Sequence, residues 1–507
     1  TPPIEFQAGN SNFEEIVFLR PAPRSGTREI GLLSRDRLHG LVEELDPLVR
    51  LTHLRSSVHD LQHTLAAFLQ RRWPGAREVG LLELFSAAQP LFDQYLRYRD
   101  RLLRGPISEA PGFNPLGLPS IESLTGWRQR VERELGSCLH ESEEGQRLDP
   151  RSLAALLDQV PSPYARSRHF CAFLQPLDPD GERWILNTLA EGYGRYGSRF
   201  TVGMDEGTRE HWTSSFLARS IFDLDGEPVE LVDMPCPGVR TINVHAPQTR
   251  RVLKMPGETS TLPPERLLRL SDLRVRLHEA DGFPVLTDKA GRRLLPVQFG
   301  SMAPRLRPML LKFLSAFGPG ELDLRNPVKA PQVSDGVEVL DRHILERIVY
   351  VRKRWRFEPQ PLLSALQGQD EIRAFAVINR WRLANGLPDR VYARERTTGP
   401  GSRPKPQYID FSSPSFLEIF RSILRQEPSL VLEEALPLPE QFPVRDGRWG
   451  VEVQVESFGL EPPRHSSPRD VHEADSSQPA RRATSERSYC HEEDSDHDQR
   501  ARRPAHL

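Results

Sequence analysis

Residues 273–286 read LRVRLHEADGFPVL, and this stretch carries the change of pattern that decides the fold class. Leu273, Val275 and Leu277 alternate with polar side chains, which is the two-residue period of a strand with one buried face. The sequence Asp281-Gly282 is a turn signal, and a second apolar run follows it. The stretch therefore predicts a β-hairpin.

The sequence before this hairpin has a helical period instead. Apolar residues between Leu54 and Leu69 recur at helical spacing, and Trp73-Pro74-Gly75 supplies a stop. Similar spacing continues over residues 81–103 and 124–135. We therefore expect the first third of the chain to be mainly helical.

Shorter patterns complete the assignment of elements. Further helices are expected at residues 152–157, 370–383 and 414–424, and further strands at residues 16–19, 170–174, 348–355 and 407–411. The predicted fold class is α+β, with a helical first third, a β-rich middle, a mixed α/β C-terminal part and a disordered tail. The predicted helical region is residues 1–150, the α+β core is residues 151–457, and the disordered tail is residues 458–507.

Composition limits the class of protein. The chain has 507 residues, 37% of them hydrophobic and 27% charged, and no apolar run approaches the roughly 20 residues of a membrane-spanning helix. Neither a signal peptide nor a CxxC pair is visible. We expect a cytoplasmic protein whose cysteines are reduced, and a chain that starts without Met suggests a fragment. The cysteines are Cys138, Cys171, Cys236 and Cys490.

Charge is balanced overall but not locally. The formal net charge is -2, whereas residues 341–405 contain 14 Lys and Arg against 7 Asp and Glu, a net of +7. Within them, residues 349–357 read VYVRKRWRF, which interleaves basic and aromatic side chains as a nucleic-acid surface does. A half-buried strand gives the same pattern, with Val351, Lys353, Trp355 and Phe357 on one face and the arginines on the other.

A glycine-rich segment stands in the middle of the chain. Residues 192–197 read GYGRYG and match GxGxxG, but the following residues 198–202 look extended rather than helical, which argues against a dinucleotide site. We interpret the glycines as a tight turn that presents Arg195 and Arg199 to a carboxylate or phosphate. A plain structural turn with two surface arginines is the alternative.

One histidine pair has a spacing that zinc sites use. His59 and His63 are four residues apart in the first predicted helix, but Asp60 stands where HExxH has glutamate and a third ligand is not evident. The predicted buried stripe of this helix is Val58, Leu61, Leu65 and Phe68, which places both histidines on or near the polar side. No metal site is predicted.

Short segments that follow one another in a fixed order between residues 50 and 457 carry a family resemblance. They are Phe68-Leu69-Gln70-Arg71-Arg72-Trp73-Pro74-Gly75, Glu78-Val79-Gly80-Leu81-Leu82-Glu83, Leu186-Asn187, Gly192-Tyr193-Gly194-Arg195, Ser198-Arg199-Phe200, Leu270-Ser271-Asp272-Leu273, Gly291-Arg292-Arg293-Leu294-Leu295-Pro296, Lys312-Phe313-Leu314, Arg354-Trp355-Arg356, Trp381-Arg382, Gly386-Leu387-Pro388-Asp389-Arg390-Val391, Tyr408-Ile409-Asp410-Phe411 and Leu432-Glu433-Glu434-Ala435-Leu436-Pro437. Together they resemble the glutamylation domain of class I lanthipeptide dehydratases and of split thiopeptide dehydratases.

The resemblance implies a transferase that needs no bound cofactor. In that family the donor is glutamyl-tRNA, whose ester is already activated, so the protein positions the tRNA end, orients a peptide Ser or Thr, and stabilises the oxyanion. Arg195 and Arg199 become candidate catalytic residues, and Arg352, Lys353, Arg354 and Arg356 become candidate tRNA-binding residues. The implied partners are glutamyl-tRNA, a precursor peptide and a separate elimination domain or protein, with a homodimer as a further option.

Two other functions remain open from the sequence. A peptide aminoacyl-tRNA ligase resembles a small dehydratase and appends an amino acid to a peptide C-terminus. A non-catalytic tRNA- or peptide-binding fragment belongs to a different class. An encoded precursor rich in Ser, Thr and Cys beside an elimination partner favours dehydration, whereas a short scaffold peptide beside tailoring oxidases favours the ligase.

Overall fold

A computed structural model describes most of the chain between residues 35 and 457. The described ranges are 35–102, 112–161, 164–165, 169–178, 181–217, 221–222, 228–236, 245–257, 262–279, 281–300, 307–318, 332–334, 336–394, 406–441 and 452–457. The predicted strand at residues 16–19 and the predicted disordered tail lie outside them.

Helices dominate the described N-terminal part and recur between the later strands. The helices are α1 Arg35–Leu54, α2 Val58–Arg72, α3 Leu81–Leu102, α4 Pro119–Leu135, α5 Pro150–Leu157, α6 Glu206–Leu217, α7 Met309–Leu314, α8 Gln360–Leu366, α9 Glu371–Ala384 and α10 Pro414–Gln426. None of these described helices has the length and apolar character that crossing a bilayer requires.

The strands form three sheets. In chain order they are β1 Val79–Gly80, β2 Leu139–Ser142, β3 Gly145–Leu148, β4 Phe170–Pro176, β5 Trp184–Glu191, β6 Ile221–Phe222, β7 Pro228–Asp233, β8 Arg251–Lys254, β9 Leu267–Arg269, β10 Arg274–Leu277, β11 Pro284–Thr287, β12 Arg293–Val297, β13 Gln332–Ser334, β14 Val337–Leu340, β15 His343–Leu345, β16 Ile348–Val351, β17 Arg354–Phe357, β18 Arg390–Arg394, β19 Gln407–Asp410, β20 Leu430–Glu434 and β21 Val453–Ser457.

The three sheets differ in strand order. The eight-stranded sheet runs β1-β10-β11-β12-β7-β8-β9, with β6 beside β7, the seven-stranded sheet runs β2-β3-β15-β16-β5-β4-β21, and the six-stranded sheet runs β13-β14-β17-β20-β18-β19. The described structure confirms the α+β class, with helices first, sheets in the middle and a mixed C-terminal part. The seven-stranded sheet takes β2 and β3 from residues before 150, and the proposed boundary there stays a prediction.

The predicted hairpin and the main helices are confirmed. Strands β10 and β11 pair antiparallel, with Val275 opposite Leu286. Helix α2 ends at Arg72, directly before the predicted stop. The hydrophobic pattern succeeds here because each element has one face against a core and a clear turn signal at its end.

The single strand predicted at residues 348–355 is wrong. The chain forms β16 in the seven-stranded sheet, leaves it at Arg352 and Lys353, and re-enters the six-stranded sheet as β17. All four residues of β16 are buried, whereas β17 alternates, with Trp355 and Phe357 in the core. The uninterrupted apolar and basic pattern hid the crossing because no Gly or Pro marks it.

Each sheet buries one main hydrophobic cluster. Helices α1, α4 and α5 pack on the seven-stranded sheet, α2, α3 and α7 on the eight-stranded sheet, and α8, α9 and α10 on the six-stranded sheet. The second of these layers matters most for the site, because it places α2, α3 and α7 beside strand β12.

Helix α2 is buried on more than one side, which corrects the predicted polar position of His59. His59 is 2% exposed, and its ring meets that of Tyr164 edge-on at a centroid distance of 5.4 Å. Leu61 and Leu65 lie in the core as predicted, whereas Val58 is half-buried. Periodicity marks one stripe, but α2 contacts both α4 and β11.

Candidate functional site

A tight glycine-rich turn follows strand β5 and begins the candidate site. Tyr193 and Gly194 have φ angles of 67° and 74°, in the left-handed region that glycine tolerates best. A Cβ on Gly192 would lie 2.9 Å from the Phe170 nitrogen, and a Cβ on Gly197 would lie 2.6 Å from the Trp212 ring. The glycines therefore allow the turn to pack directly against neighbouring groups.

The residues after the turn are not extended, which corrects that expectation. Gly197–Phe200 forms a 3-10 helix, and α6 begins only at Glu206. Strand β5 is antiparallel to β4 and parallel to β16, but the turn leads into this 3-10 helix and not directly into the α-helix that a dinucleotide site requires. The structure gives no support to dinucleotide binding at this turn.

Arg195 is held firmly in the turn. It is 4% exposed, forms an ion pair with Glu191, and donates from Nε to the Gly300 carbonyl oxygen at 3.3 Å. The Gly300 amide donates back to the Arg195 carbonyl oxygen at 2.9 Å. The guanidinium carbon also lies 4.9 Å from the centre of the Tyr196 ring. These contacts fix the direction of the guanidinium group.

Arg199 points to a different environment. Its guanidinium carbon lies 4.7 Å from the centre of the Phe200 ring, and it is in electrostatic reach of Glu452. Arg195 lines the cavity described below, whereas Arg199 is not part of that lining. The structure does not bring the two arginines onto one anion through this cavity.

A cavity of about 40 Å³ lies beside Arg195, between α2, α3, α7, strand β12 and the glycine-rich turn. Its polar lining consists of Tyr95, Arg99, Glu191, Arg195, Gln298, Arg307, Lys312 and Ser315. Leu61, Met234 and Val297 contribute to its apolar lining. Such a mixture of apolar surface and a few converging polar groups is typical of ligand sites.

The cavity carries excess positive charge. Its lining contains four cationic side chains and one carboxylate, Glu191, a net of +3. Burial lowers the pKa of Lys312, and the charges of Arg99 and Arg307 lower it further, whereas that of Asp100 opposes the shift. Arg307 is anchored by a bond from Nη1 to Ser315 Oγ at 3.0 Å. The charge suits an anionic ligand.

The other predicted site lies where the chain crosses between sheets. Arg352 donates to the Leu436 carbonyl oxygen at 2.9 Å and to Asn187 Oδ1 at 2.6 Å, and burial lowers its pKa. Lys353 Nζ lies 3.1 Å from Asp341 Oδ1. These two residues are thus partly occupied by protein acceptors.

Arg354 and Arg356 point away from the helices of the six-stranded sheet. Arg354 Nε lies 2.7 Å from Glu433 Oε2, and Arg356 pairs with Glu338. Arg394 shares Glu433 at 2.6 Å, and although burial alone would raise the pKa of that glutamate, the charges of Arg354, Arg394 and Arg352 together hold it below its usual value. The +7 count overstates the local field, because several of its cations are compensated by carboxylates outside the counted segment.

Strand β5 links the two regions. Asn187 bonds Arg352, and Glu191 at the end of the same strand lines the cavity. Four residues of extended strand span about 13 Å. Burial raises the pKa of Glu452, while the hydrogen bond from Asn187 and the charges of Arg352 and Arg199 oppose that shift.

Sequence reasoning missed the cationic residues that complete the cavity. Arg99, Arg307 and Lys312 come from separate elements, and Lys312 sits in an apolar helix that reads MLLKFL. The signal that could have identified Lys312 was a lysine within an apolar run.

The described residues contain no group of three His, Cys, Asp or Glu side chains placed to bind a metal ion. His63 Nε2 lies 2.6 Å from the Tyr164 hydroxyl.

Comparison with known proteins identifies the family. The family model for the N terminus of lantibiotic dehydratases matches residues 31–398, and the chain therefore belongs to the lantibiotic dehydratase family. No curated protein matches the chain.

Several solved structures are similar to this chain. The glutamylation domain of TbtB from thiomuracin biosynthesis, bound to 5'-phosphodesmethylglutamycin, is 25% identical with a TM-score of 0.65, and the match covers 82% of this chain and 49% of that chain. A second structure of the TbtB glutamylation domain is 23% identical with a TM-score of 0.60, at the same coverage. The tRNA-dependent lantibiotic dehydratase MibB from Microbispora sp. 107891 is 17% identical with a TM-score of 0.45, and the match covers 60% of this chain and 29% of that chain. The chain spans about half the length of the TbtB structures it matches.

Proposed function

We propose that the chain is the glutamylating part of a lantibiotic-type dehydratase and transfers glutamate from glutamyl-tRNA to Ser or Thr of a precursor peptide. The observation that carries this is the cationic cavity beside Arg195, in a chain of the lantibiotic dehydratase family. The similarity to the TbtB glutamylation domain supports it, because that domain binds 5'-phosphodesmethylglutamycin.

The proposed reaction is a transfer of an acyl group between two hydroxyls. The peptide oxygen attacks the ester carbonyl carbon, the bond from that carbon to the ribose oxygen breaks, and the hydroxyl proton ends on the ribose. No covalent enzyme intermediate is needed, since the donor ester is already activated. The protein has to position the reactants and stabilise the negative charge that develops on the carbonyl oxygen.

The residues of the cavity suit this task. Arg195 is oriented by Glu191 and the Gly300 carbonyl before any ligand arrives. Lys312 and Arg307 add positive charge from a second direction. Fixed cations need little rearrangement as charge develops, which is the condition for effective electrostatic stabilisation. Elimination of glutamate would be supplied by a separate domain or protein.

The test is transfer of labelled glutamate from charged tRNA to a candidate precursor peptide by the full chain. We expect label on Ser or Thr side chains, located by tandem mass spectrometry, and none on a peptide with those residues replaced by Ala. Label at the peptide C-terminus would instead identify an aminoacyl-tRNA ligase. Absence of transfer together with retained tRNA binding would leave the binding-fragment alternative.

We further propose that the open face of the six-stranded sheet contacts tRNA phosphates. We expect the double variant Arg354→Gln/Arg356→Gln to flatten the dependence of log binding constant on log salt, by about 0.7 to 0.9 for each phosphate that the protein no longer neutralises. Both side chains are partly or largely exposed, Arg356 at 56%, so the fold should persist. The measurement is tRNA binding over a series of salt concentrations.

The matched control removes two arginines from the opposite side of that sheet. Arg373 and Arg425 are exposed on α9 and α10, which pack on its other face. Arg373→Gln/Arg425→Gln should leave the salt dependence unchanged. Equal slopes for both double variants and the unmodified chain would remove this sheet face from the tRNA interface.

A further inference from the structure

Strand β21 has one apolar face and one polar face. Val453 and Val455 pack against the hydrophobic cluster of the seven-stranded sheet. Because side chains alternate along a strand, Gln454 and Glu456 share the opposite face. This polar face is the part of β21 that meets the glycine-rich turn.

Both polar residues reach the turn. The Glu456 carboxylate accepts a hydrogen bond from the Gly194 amide. Gln454 Nε2 lies 3.6 Å from the position that a Cβ on Gly197 would occupy. Strand β21 therefore approaches the turn both before and after Arg195 in the chain.

The backbone of the turn needs such support. Tyr193 has a φ angle of 67°, a left-handed conformation that a residue with a Cβ keeps only where its surroundings hold it. Gly194 follows with a φ angle of 74°, and its amide is the one that Glu456 accepts. Loss of this bond would remove a contact that holds the pair left-handed, and Arg195 is the next residue along the chain.

We propose that Glu456 is a positioning residue for glutamyl transfer, and that through the Gly194 amide it holds the turn in the conformation that directs Arg195 into the cavity. This inference rests on the proposed function, because it assumes a role for Arg195 in transfer. Glu456 does not itself line the cavity, so it acts through the turn and not on a ligand. Glu191 pairs with the guanidinium group of Arg195, whereas Glu456 holds the backbone.

Three variants separate this role from a general contribution to folding. Glu456→Ala removes the acceptor of the Gly194 amide, and Glu456→Gln keeps an oxygen that can accept the same bond. Asp178→Ala is the matched control. Asp178 also accepts from backbone amides, those of Glu182 and Arg183 at 2.8 and 2.9 Å, but these precede β5 and lie at the opposite end of that strand.

The experiment combines two measurements on the full chain. One is transfer of labelled glutamate from charged tRNA to the candidate precursor peptide, and the other is hydrogen–deuterium exchange followed by mass spectrometry. For Glu456→Ala we expect the maximal rate of transfer to fall about tenfold with little change in the half-saturating peptide concentration, because a displaced group impairs reaction more than binding. Peptides that contain residues 192–197 should exchange faster.

The other variants should behave differently. Glu456→Gln should keep the rate within about threefold, since a neutral acceptor forms a weaker bond of the same kind. Asp178→Ala should exchange faster at Glu182 and Arg183 and should transfer glutamate at the unmodified rate.

Three results would overturn the proposal. One is transfer by Glu456→Ala at the unmodified rate. The second is a loss of rate that comes with faster exchange throughout the seven-stranded sheet. The third is an equal loss in Asp178→Ala, because Glu456 would then only stabilise the sheet. A lost rate that Glu456→Gln restores, with faster exchange confined to the turn, supports the proposal.

The two proposals fail in different ways. An unmodified chain that transfers no glutamate contradicts the proposed function and with it the role of Glu456 in transfer, while the exchange rates still decide whether Glu456 holds the turn. An unmodified chain that transfers glutamate, with no loss in Glu456→Ala, keeps the proposed function and removes Glu456 from it.

Discussion

Replacing Asp60 by Ala is expected to lower the free energy of unfolding by about 3 to 5 kcal/mol, because it leaves a buried cation without its carboxylate. Asp60 is fully buried on α2 and accepts from Arg128 Nη1 at 2.7 Å and from the Phe113 amide at 3.0 Å. Arg128 also donates to the carbonyl oxygens of Leu54 and Ser56. The carboxylate thus connects α2 to α4 and to the segment at Phe113, and Arg128 connects α4 to the end of α1 and the turn after it.

The measurement is the change in stability on urea denaturation of the full chain, with Asp158→Ala as the matched control. The Asp158 pair with Arg50 has the same N···O distance of 2.7 Å, but Asp158 is 69% exposed. Surface pairs contribute about 0 to 1 kcal/mol. Asp60→Asn should fall between the two, since it keeps an acceptor for Phe113. Similar losses for Asp60→Ala and Asp158→Ala would show that burial of the Asp60 pair does not matter.

Arg195→Lys is expected to reduce kcat/KM for glutamyl transfer by about 10- to 100-fold, the equivalent of one charged hydrogen bond of roughly 1.5 to 3 kcal/mol. Lysine retains the charge but lacks the planar fork that contacts Glu191 and the Gly300 carbonyl. The loss should be seen in single-turnover transfer of labelled glutamate from tRNA to peptide.

Two further variants separate a role in transfer from a role in folding. Glu191→Gln frees Arg195 from its ion pair, and if Arg195 acts on the ligand, Arg195→Lys should cost more activity than Glu191→Gln at a similar melting temperature. Arg199→Lys should have a smaller effect than Arg195→Lys, because Arg199 does not line the cavity. Unmodified rates in both arginine variants would exclude the glycine-rich turn from the site.

The local sequence pattern was sufficient to predict an element wherever one face of that element packs against one core. The hairpin at β10 and β11, the end of α2 at Arg72 and the start of α9 after Asp370 follow from periodicity and terminal residues. Asp370 accepts from the Arg373 amide at 2.8 Å, as a helix-capping aspartate does. These features depend on residues that are close in sequence, so they can be predicted from the sequence.

The candidate site depends instead on residues far apart in the chain. The turn that holds Arg195 was visible because its glycines lie within six residues of one another, but Arg99, Arg307 and Lys312 meet it only through the packing of α3 and α7 on the eight-stranded sheet. The crossing at Arg352 was missed for a related reason, since a change of sheet alters tertiary partners without altering local preference.

Strand β21 determines when, during synthesis, the glycine-rich turn can reach its final structure. It pairs with β4 through residues near the end of the described chain, and its Glu456 accepts from the Gly194 amide in the glycine-rich turn. Glu452, just before the strand, accepts from Asn187. During synthesis the turn must wait for these late residues to emerge from the ribosome before its geometry is complete. A nascent chain would therefore contain Arg195 and Arg199 long before the turn that holds them reaches its final geometry.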